Sequence, residues 1–145
     1  MEVSTKAKAV IPAKERHIRK AAVLGSGVMG SRIACHFANI GLEVVLLDIV
    51  PFDLAEADKG NKAKRNSIVD AALKATLKSN PSPIYDSSFT KRITTGNFDD
   101  NMNLIADCDW IIEVVVERLD IKKQVFEKVE QFRKPGTLIT SNTSG

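Results

Sequence analysis

Three glycines, in the order Gly25-Ser26-Gly27-Val28-Met29-Gly30, follow the apolar run Ala21-Ala22-Val23-Leu24 and precede a helical pattern. One carboxylate, Asp48, closes the next apolar run 18 residues after Gly30. These residue types at this spacing suit one task, the grip on a diphosphate and the sugar attached to it. Gly25 permits a tight turn, Gly27 lets backbone approach a phosphate, and Gly30 lets the helix lie against the strand. A side chain at any of the three is expected to collide. The helix start, at Val28 and Met29, adds unpaired N–H groups and a partial positive charge. Asp48 accepts from ribose hydroxyls and repels a 2′-phosphate, and Ile49-Val50-Pro51 holds no arginine to receive one. The pattern therefore implies NAD and not NADP. The glycines alone would be an ordinary turn; strand, helix and carboxylate together set them apart.

Two further groups sit where strands end. Glu113 lies within, and Glu117 closes, the apolar stretch that begins at Trp110, and Lys122 follows five residues after Glu117 at the start of another helical pattern. Charges at the carboxyl end of a strand face the sheet edge where ligands bind, although the same spacing fits a surface ion pair of little energetic weight. Ser141-Asn142-Thr143-Ser144 closes the last strand pattern and is either a turn or part of the same edge. The two histidines are less promising. His17 lies in a basic leader, and His36 falls inside the first helical pattern, where a helix-surface or partly buried role is the plainer reading. Cys35 and Cys108 show no metal-ligand spacing and read as reduced core or near-core thiols, and no metal site is expected.

The elements that must position these groups alternate. Apolar runs at 21–24, 44–48, 92–95, 110–116 and 137–140 read as strands, the central ones too β-branched and too short for helices. Between them, residues 28–40 place Ile33, Phe37 and Ile40 on one face, with Ala34 and Ala38 small enough for close approach to a sheet, and Gly41 ends the helix. Residues 54–78 predict one long helix, with Gly60-Asn61 as the place where it could break, closed by Asn80-Pro81-Ser82-Pro83. Residues 99–107 predict a short helix or turn. Residues 120–132 carry Ile121, Val125, Val129 and Phe132 at helical spacing behind a capping Asp120. Alternating strands and helices require parallel pairing through right-handed crossovers. The fold class is therefore α/β, a Rossmann-type doubly wound sheet in the order 3-2-1-4-5 with helices on both faces.

Composition agrees. A chain of 145 residues with 43% hydrophobic and only 6% aromatic content buries one core of Val, Ile, Leu and Ala. The net charge of +3 is local: residues 1–20 hold six basic groups against two acidic ones, which leaves the remainder at −1. A basic leader, residues 1–18, on a near-neutral body, residues 19–145, argues against nucleic acid, which asks for a basic face on the folded part. No run is long enough for a membrane span and no secretory signal is evident, so a soluble, cytoplasmic protein is expected.

The segments AAVLGSGVMGSRIACHFANIGLEVVLLD and IIEVVVERLDIKKQVFEKVE and the terminal SNTS together resemble the NAD-binding half of the 3-hydroxyacyl-CoA dehydrogenases of fatty-acid β-oxidation, including forms fused to an enoyl-CoA hydratase. The resemblance runs from Arg19 to Gly145. It implies Gly25, Gly27, Val28, Met29 and Gly30 around the pyrophosphate, Asp48 on the adenosine ribose, and Glu117 and Lys122 near the nicotinamide ribose. Ser144 would stand where nicotinamide and substrate hydroxyl meet. It also implies an acyl-CoA substrate, with Lys62, Lys64, Lys74 and Lys78 as candidate CoA contacts, and a parent that is a homodimer or part of a multifunctional complex. The family oxidises a secondary alcohol with a His base oriented by a Glu, and both are expected beyond the SNTS motif. The chain thus reads as a piece of a longer enzyme, inactive alone. The alternatives are a non-catalytic NAD-binding or structural protein of the λ-crystallin kind, or another β-hydroxyacid dehydrogenase.

Overall fold

The central strand of the sheet is the one that leads into the glycines. The computed structural model describes residues 17–114 and 119–141, with Leu119 described by its backbone alone. Five strands, β1 (Lys20–Leu24), β2 (Glu43–Asp48), β3 (Ile93–Asn97), β4 (Trp110–Glu113) and β5 (Leu138–Ser141), form one sheet in the order β3-β2-β1-β4-β5. Every pairing is parallel, and Leu24 at the end of β1 lies between Leu47 of β2 and Glu113 of β4. This is the doubly wound order expected from the sequence, and it puts the end of β1 at the point where the chain changes direction across the sheet.

The strands are continuous apolar runs because both faces of the sheet are covered. Ala22, Leu24, Val45, Leu47 and Ile111 pack on one face against Val125 and Val129 of α4 (Leu119–Phe132) and against Met102 and Ile105 of a 3-10 segment, Met102–Asp107. Val23, Val44, Leu46 and Ile112 pack on the other against Ala34 of α1 (Val28–Asn39) and Val69 of α3 (Ser67–Leu77). Ala34 and Ala38 are fully buried, as the small residues of a helix pressed on a sheet must be. The α1 helix ends as expected at Gly41, whose φ of +96° and N–H to Ala38 O, followed by Leu42 N–H to Phe37 O, make a Schellman motif.

Residues 54–78 depart from the expected single helix. They form a 3-10 turn at Glu56–Asp58, a short α2 (Lys62–Arg65) and then α3. Asn61 caps α2 by accepting from the N–H groups of Ala63 and Lys64, and Asn66 separates the two helices. The Asn66 side chain accepts from Asn97 Nδ2 at 2.7 Å in a buried pair, so a tertiary contact with the end of β3 breaks the helix. Strand β3 starts one residue later than expected and runs two further, to Asn97. Strand β4 stops at Glu113, three residues before the expected end at 116; Val115 and Val116 lie outside the described residues.

Candidate dinucleotide-binding site

The carboxyl ends of β1, β2 and β4 bring the three glycines, Asp48 and Glu113 to one rim. Gly25 follows β1 with φ +115°, a left-handed conformation that L side chains rarely adopt, and a Cβ there would stand 3.0 Å from the Val114 backbone carbon. At Gly30, a Cβ would lie 1.8 Å from Gly25 O, so only glycine lets α1 start this close to the turn. Gly27 behaves differently from the expectation. A Cβ there meets nothing within 4 Å, because the space in front of it is open, not filled by the protein. That opening lies at the amino terminus of α1, where Gly27 is the N-cap and, among the described residues, no side chain caps the helix. Val28 and Met29, which open the helix, are 75% and 54% exposed.

Asp48 ends β2 on the same rim. Its Oδ2 accepts from the Ser26 N–H at 2.8 Å and from Ser26 Oγ at 2.5 Å, and its Oδ1 accepts from Ile49 N–H at 2.7 Å. Ser31 Oγ in turn donates to Ser26 O at 2.6 Å. Next to Asp48 lies a cavity of about 220 Å³ lined by apolar residues including Ile49, Phe52, Phe98 and Val125 and by the polar side chains of Asp99, Gln124 and Lys128. Neither the cavity nor the part played by Ser26 was assigned from the sequence. The one available signal was the apolar run Ile49-Val50-Pro51-Phe52 directly after the carboxylate, where a solvated loop needs no such residues.

On the other side of β1, Glu113 is 1% exposed at the end of β4. Its Oε1 accepts from Ser141 Oγ at 2.7 Å across the β4–β5 pair, with Lys122 Nζ of α4 at 3.8 Å. Glu113 Oε2 is buried and has no hydrogen-bond partner among the described residues. Lys122 thus faces Glu113 at the end of β4. Glu117 and Ser144 lie outside the described residues, as do 142–145 altogether. The four candidate lysines, Lys62, Lys64, Lys74 and Lys78, are exposed on α2, on α3 and at the α3 cap.

The opposite rim carries a different set. His17, Arg19, Lys20, Glu43, Asp107, Asp109 and Lys134 line a shallow depression at the amino ends of the strands. Burial works against the charge of Asp109, but Lys134 Nζ at 2.7 Å and the N–H groups of Arg19 and Lys20 override it and hold the carboxyl below its usual range. Burial pushes the Cys108 thiol up to about 12, and both cysteines are buried and free. His36 is exposed on α1. It lines an open pocket with Phe37, Trp110 and Ser141, and among the described residues no hydrogen bond joins either histidine to Asp48 or Glu113. Among the described residues no three His, Cys, Asp or Glu side chains converge on a metal position, and no helix is long and apolar enough to cross a membrane.

The residues at the carboxyl rim fit a dinucleotide. The open space before Gly27 lies at a helix amino terminus, where an anion is favoured, the end of β2 carries a carboxylate of the kind that accepts from ribose hydroxyls, and a cavity lies beside it. Fold and site together define an α/β domain that binds a nicotinamide dinucleotide across the ends of its strands. More particularly, the chain belongs to the family described as 3-hydroxyacyl-CoA dehydrogenase, NAD binding domain, whose model matches residues 20–145. Its cofactor is NAD. A Bacillus subtilis protein named "Probable 3-hydroxyacyl-CoA dehydrogenase" is 49% identical over 136 residues, a match covering 90% of this chain and 17% of that protein. The "Fatty acid oxidation complex subunit alpha" of Psychrobacter cryohalolentis is 33% identical, covering 90% and 17%. Among solved structures, the 3-hydroxybutyryl-CoA dehydrogenase of Escherichia coli matches with a TM-score of 0.56 and 29% identity, covering 89% of this chain and 25% of that one. The chain therefore spans less than a fifth of the length of both curated relatives.

Proposed function

We propose that the protein serves in the oxidation of an L-3-hydroxyacyl-CoA to the 3-ketoacyl-CoA, as the part that binds and orients NAD. The observation that carries this reading is the Asp48 carboxylate fixed on the same rim as the open space before Gly27, next to a cavity of mixed apolar and polar lining. Bound NAD supplies the hydride acceptor. Asp48 accepts from the adenosine ribose, its charge excluding a 2′-phosphate, and the N–H groups that open α1 receive the diphosphate. Ile49, Phe98, Ile121 and Val125 shield the adenine from water. Because the sheet order runs from β2 through β1 to β4 and β5, the nicotinamide end falls beside Glu113, Lys122 and Ser141. Glu117, near the nicotinamide ribose, and Ser144, near the substrate hydroxyl, complete this end in our reading.

Removing the hydroxyl proton needs a base within hydrogen-bond reach of the substrate. His17 lines the depression at the amino rim, and His36 is an exposed residue of the last turn of α1 that no carboxylate among the described residues orients by a hydrogen bond, so in this reading the base comes from chain outside these residues, as the greater length of the relatives allows. Lys62, Lys64, Lys74 and Lys78 are the candidates for the CoA phosphates, and the parent works as a homodimer or within a multifunctional complex. The test is fluorescence titration of the chain with NADH and NADPH. NADH is expected to bind more tightly, and Asp48→Ala to abolish the preference. Equal binding of the two by the unaltered protein would sink the assignment. Acetoacetyl-CoA added with NADH to this chain alone is expected to give no turnover.

A further inference from the structure

The ribose carboxylate is not a free side chain. Rotation about the last torsion of an aspartate is soft, so an unsupported carboxylate samples many orientations. Here three donors occupy it: Ser26 N–H and Ser26 Oγ both on Oδ2, and Ile49 N–H on Oδ1. Each carboxylate oxygen offers two lone-pair positions. Oδ2 is therefore filled by Ser26, and one position remains, on Oδ1. Ser26 is itself held. It is 1% exposed, and Ser31, fully buried one residue after Gly30, donates its hydroxyl to Ser26 O at 2.6 Å. Nothing in a phosphate-binding turn requires a hydroxyl at the position between the first two glycines; a residue without a side-chain donor would turn there equally well.

We propose that Ser26 is a positioning residue for cofactor recognition: its hydroxyl locks Asp48 in the rotamer that presents Oδ1 alone to the adenosine ribose, and it thereby carries part of the preference for NAD over NADP. The proposal rests on the reading of Asp48 as the ribose acceptor. Ser26 acts through Asp48 and need not touch the cofactor. With the hydroxyl removed, Oδ2 keeps only the backbone N–H. The carboxylate then regains rotational freedom and gains a second open acceptor position. Binding of a ribose hydroxyl must reorder it, whereas NADPH, whose 2′-phosphate the carboxylate repels in any orientation, gains nothing from the lock.

The test is a double-mutant cycle on the full chain. NADH and NADPH dissociation constants are measured by fluorescence for the unaltered protein, Ser26→Ala, Asp48→Ala and the double variant, with thermal unfolding followed in parallel. Ser26→Ala is expected to weaken NADH about tenfold, the low end for a hydrogen bond to a charged group, with NADPH affinity unchanged. In the Asp48→Ala background the same substitution is expected to change nothing. Should Asp48→Ala collapse the NADH preference while Ser26→Ala leaves it intact, or should Ser26→Ala weaken NADH equally with and without Asp48, the positioning role is overturned and the ribose assignment stands. Should Asp48→Ala itself leave the preference intact, the ribose assignment fails and takes this proposal with it. Where Ser26→Ala does not fold, Ser26→Cys, similar in size with a far weaker donor, takes its place and is read by the same outcomes.

Discussion

Gly30 sits against Gly25 so closely that a methyl group on Gly30 would lie 1.8 Å from the Gly25 carbonyl oxygen and 2.8 Å from its carbon. The contact is backbone on backbone, so no side chain can swing away to relieve it. Gly30→Ala is accordingly expected to cost about 3 kcal/mol, the upper end for overpacking a buried site. Urea denaturation should show this as a lower midpoint at unchanged slope. A midpoint within error of the unaltered protein would mean that α1 does not start where the structure places it.

Gly27 should answer oppositely. Its φ of −56° is open to any residue and a Cβ there meets nothing within 4 Å, so the folded chain has no objection to alanine. Gly27→Ala is expected to change stability by no more than about 0.5 kcal/mol, as surface substitutions do. If the open space is where the diphosphate lies, the added methyl enters it, and NADH affinity should fall at least about tenfold, equivalent to 1.4 kcal/mol. Undiminished NADH binding by Gly27→Ala would place the phosphates elsewhere.

The contrast between these two glycines shows what the sequence could and could not convey. Strand, turn, helix and carboxylate were legible because each is a local pattern: buried parallel strands read as unbroken apolar runs, and Gly41 marks its helix end by the φ that it alone tolerates cheaply. That Gly27 faces empty space, whereas Gly30 faces backbone, depends on what lies opposite, and the motif is silent on that. The same holds for Asn66, whose helix-breaking partner Asn97 is 31 residues away, and for Ser26, whose hydroxyl finds Asp48 across 22. Glu113 was visible as a charge in a strand, but its pairing with Ser141 becomes legible only once β4 and β5 are known to be neighbours.

That pairing makes a prediction. Glu113 is buried, and its Oε1 shares a hydrogen bond with Ser141 Oγ while facing Lys122. Glu113→Ala removes both interactions and leaves the Ser141 hydroxyl without this acceptor, at an expected cost of about 2 kcal/mol. Ser141→Ala alone should cost about 1 kcal/mol, and the two effects should not add, because residues sharing one hydrogen bond are coupled. Strict additivity in denaturant unfolding would show that the contact contributes nothing to joining the ends of β4 and β5.

Acid should loosen the amino rim through Asp109. This carboxyl is held below its usual range because Lys134 and the N–H groups of Arg19 and Lys20 outweigh the opposing effect of burial. A depressed folded-state pKa means that the unfolded chain binds the proton first. The stabilisation is therefore complete above the unfolded carboxyl value of about 3.9 and disappears as pH falls through the lower folded value. Asp109→Asn removes that titration while keeping the side chain's shape. The unaltered protein should melt at a higher temperature than Asp109→Asn at neutral pH, and the gap should narrow once pH drops below about 4. Asp86 and Asp100, whose carboxyls are also held low, titrate in both proteins and cancel in the difference. A gap that stays constant through the acid range would show that Lys134 and the two N–H groups do not favour the charged carboxylate, and that Asp109 joins β1 to β4 by shape alone.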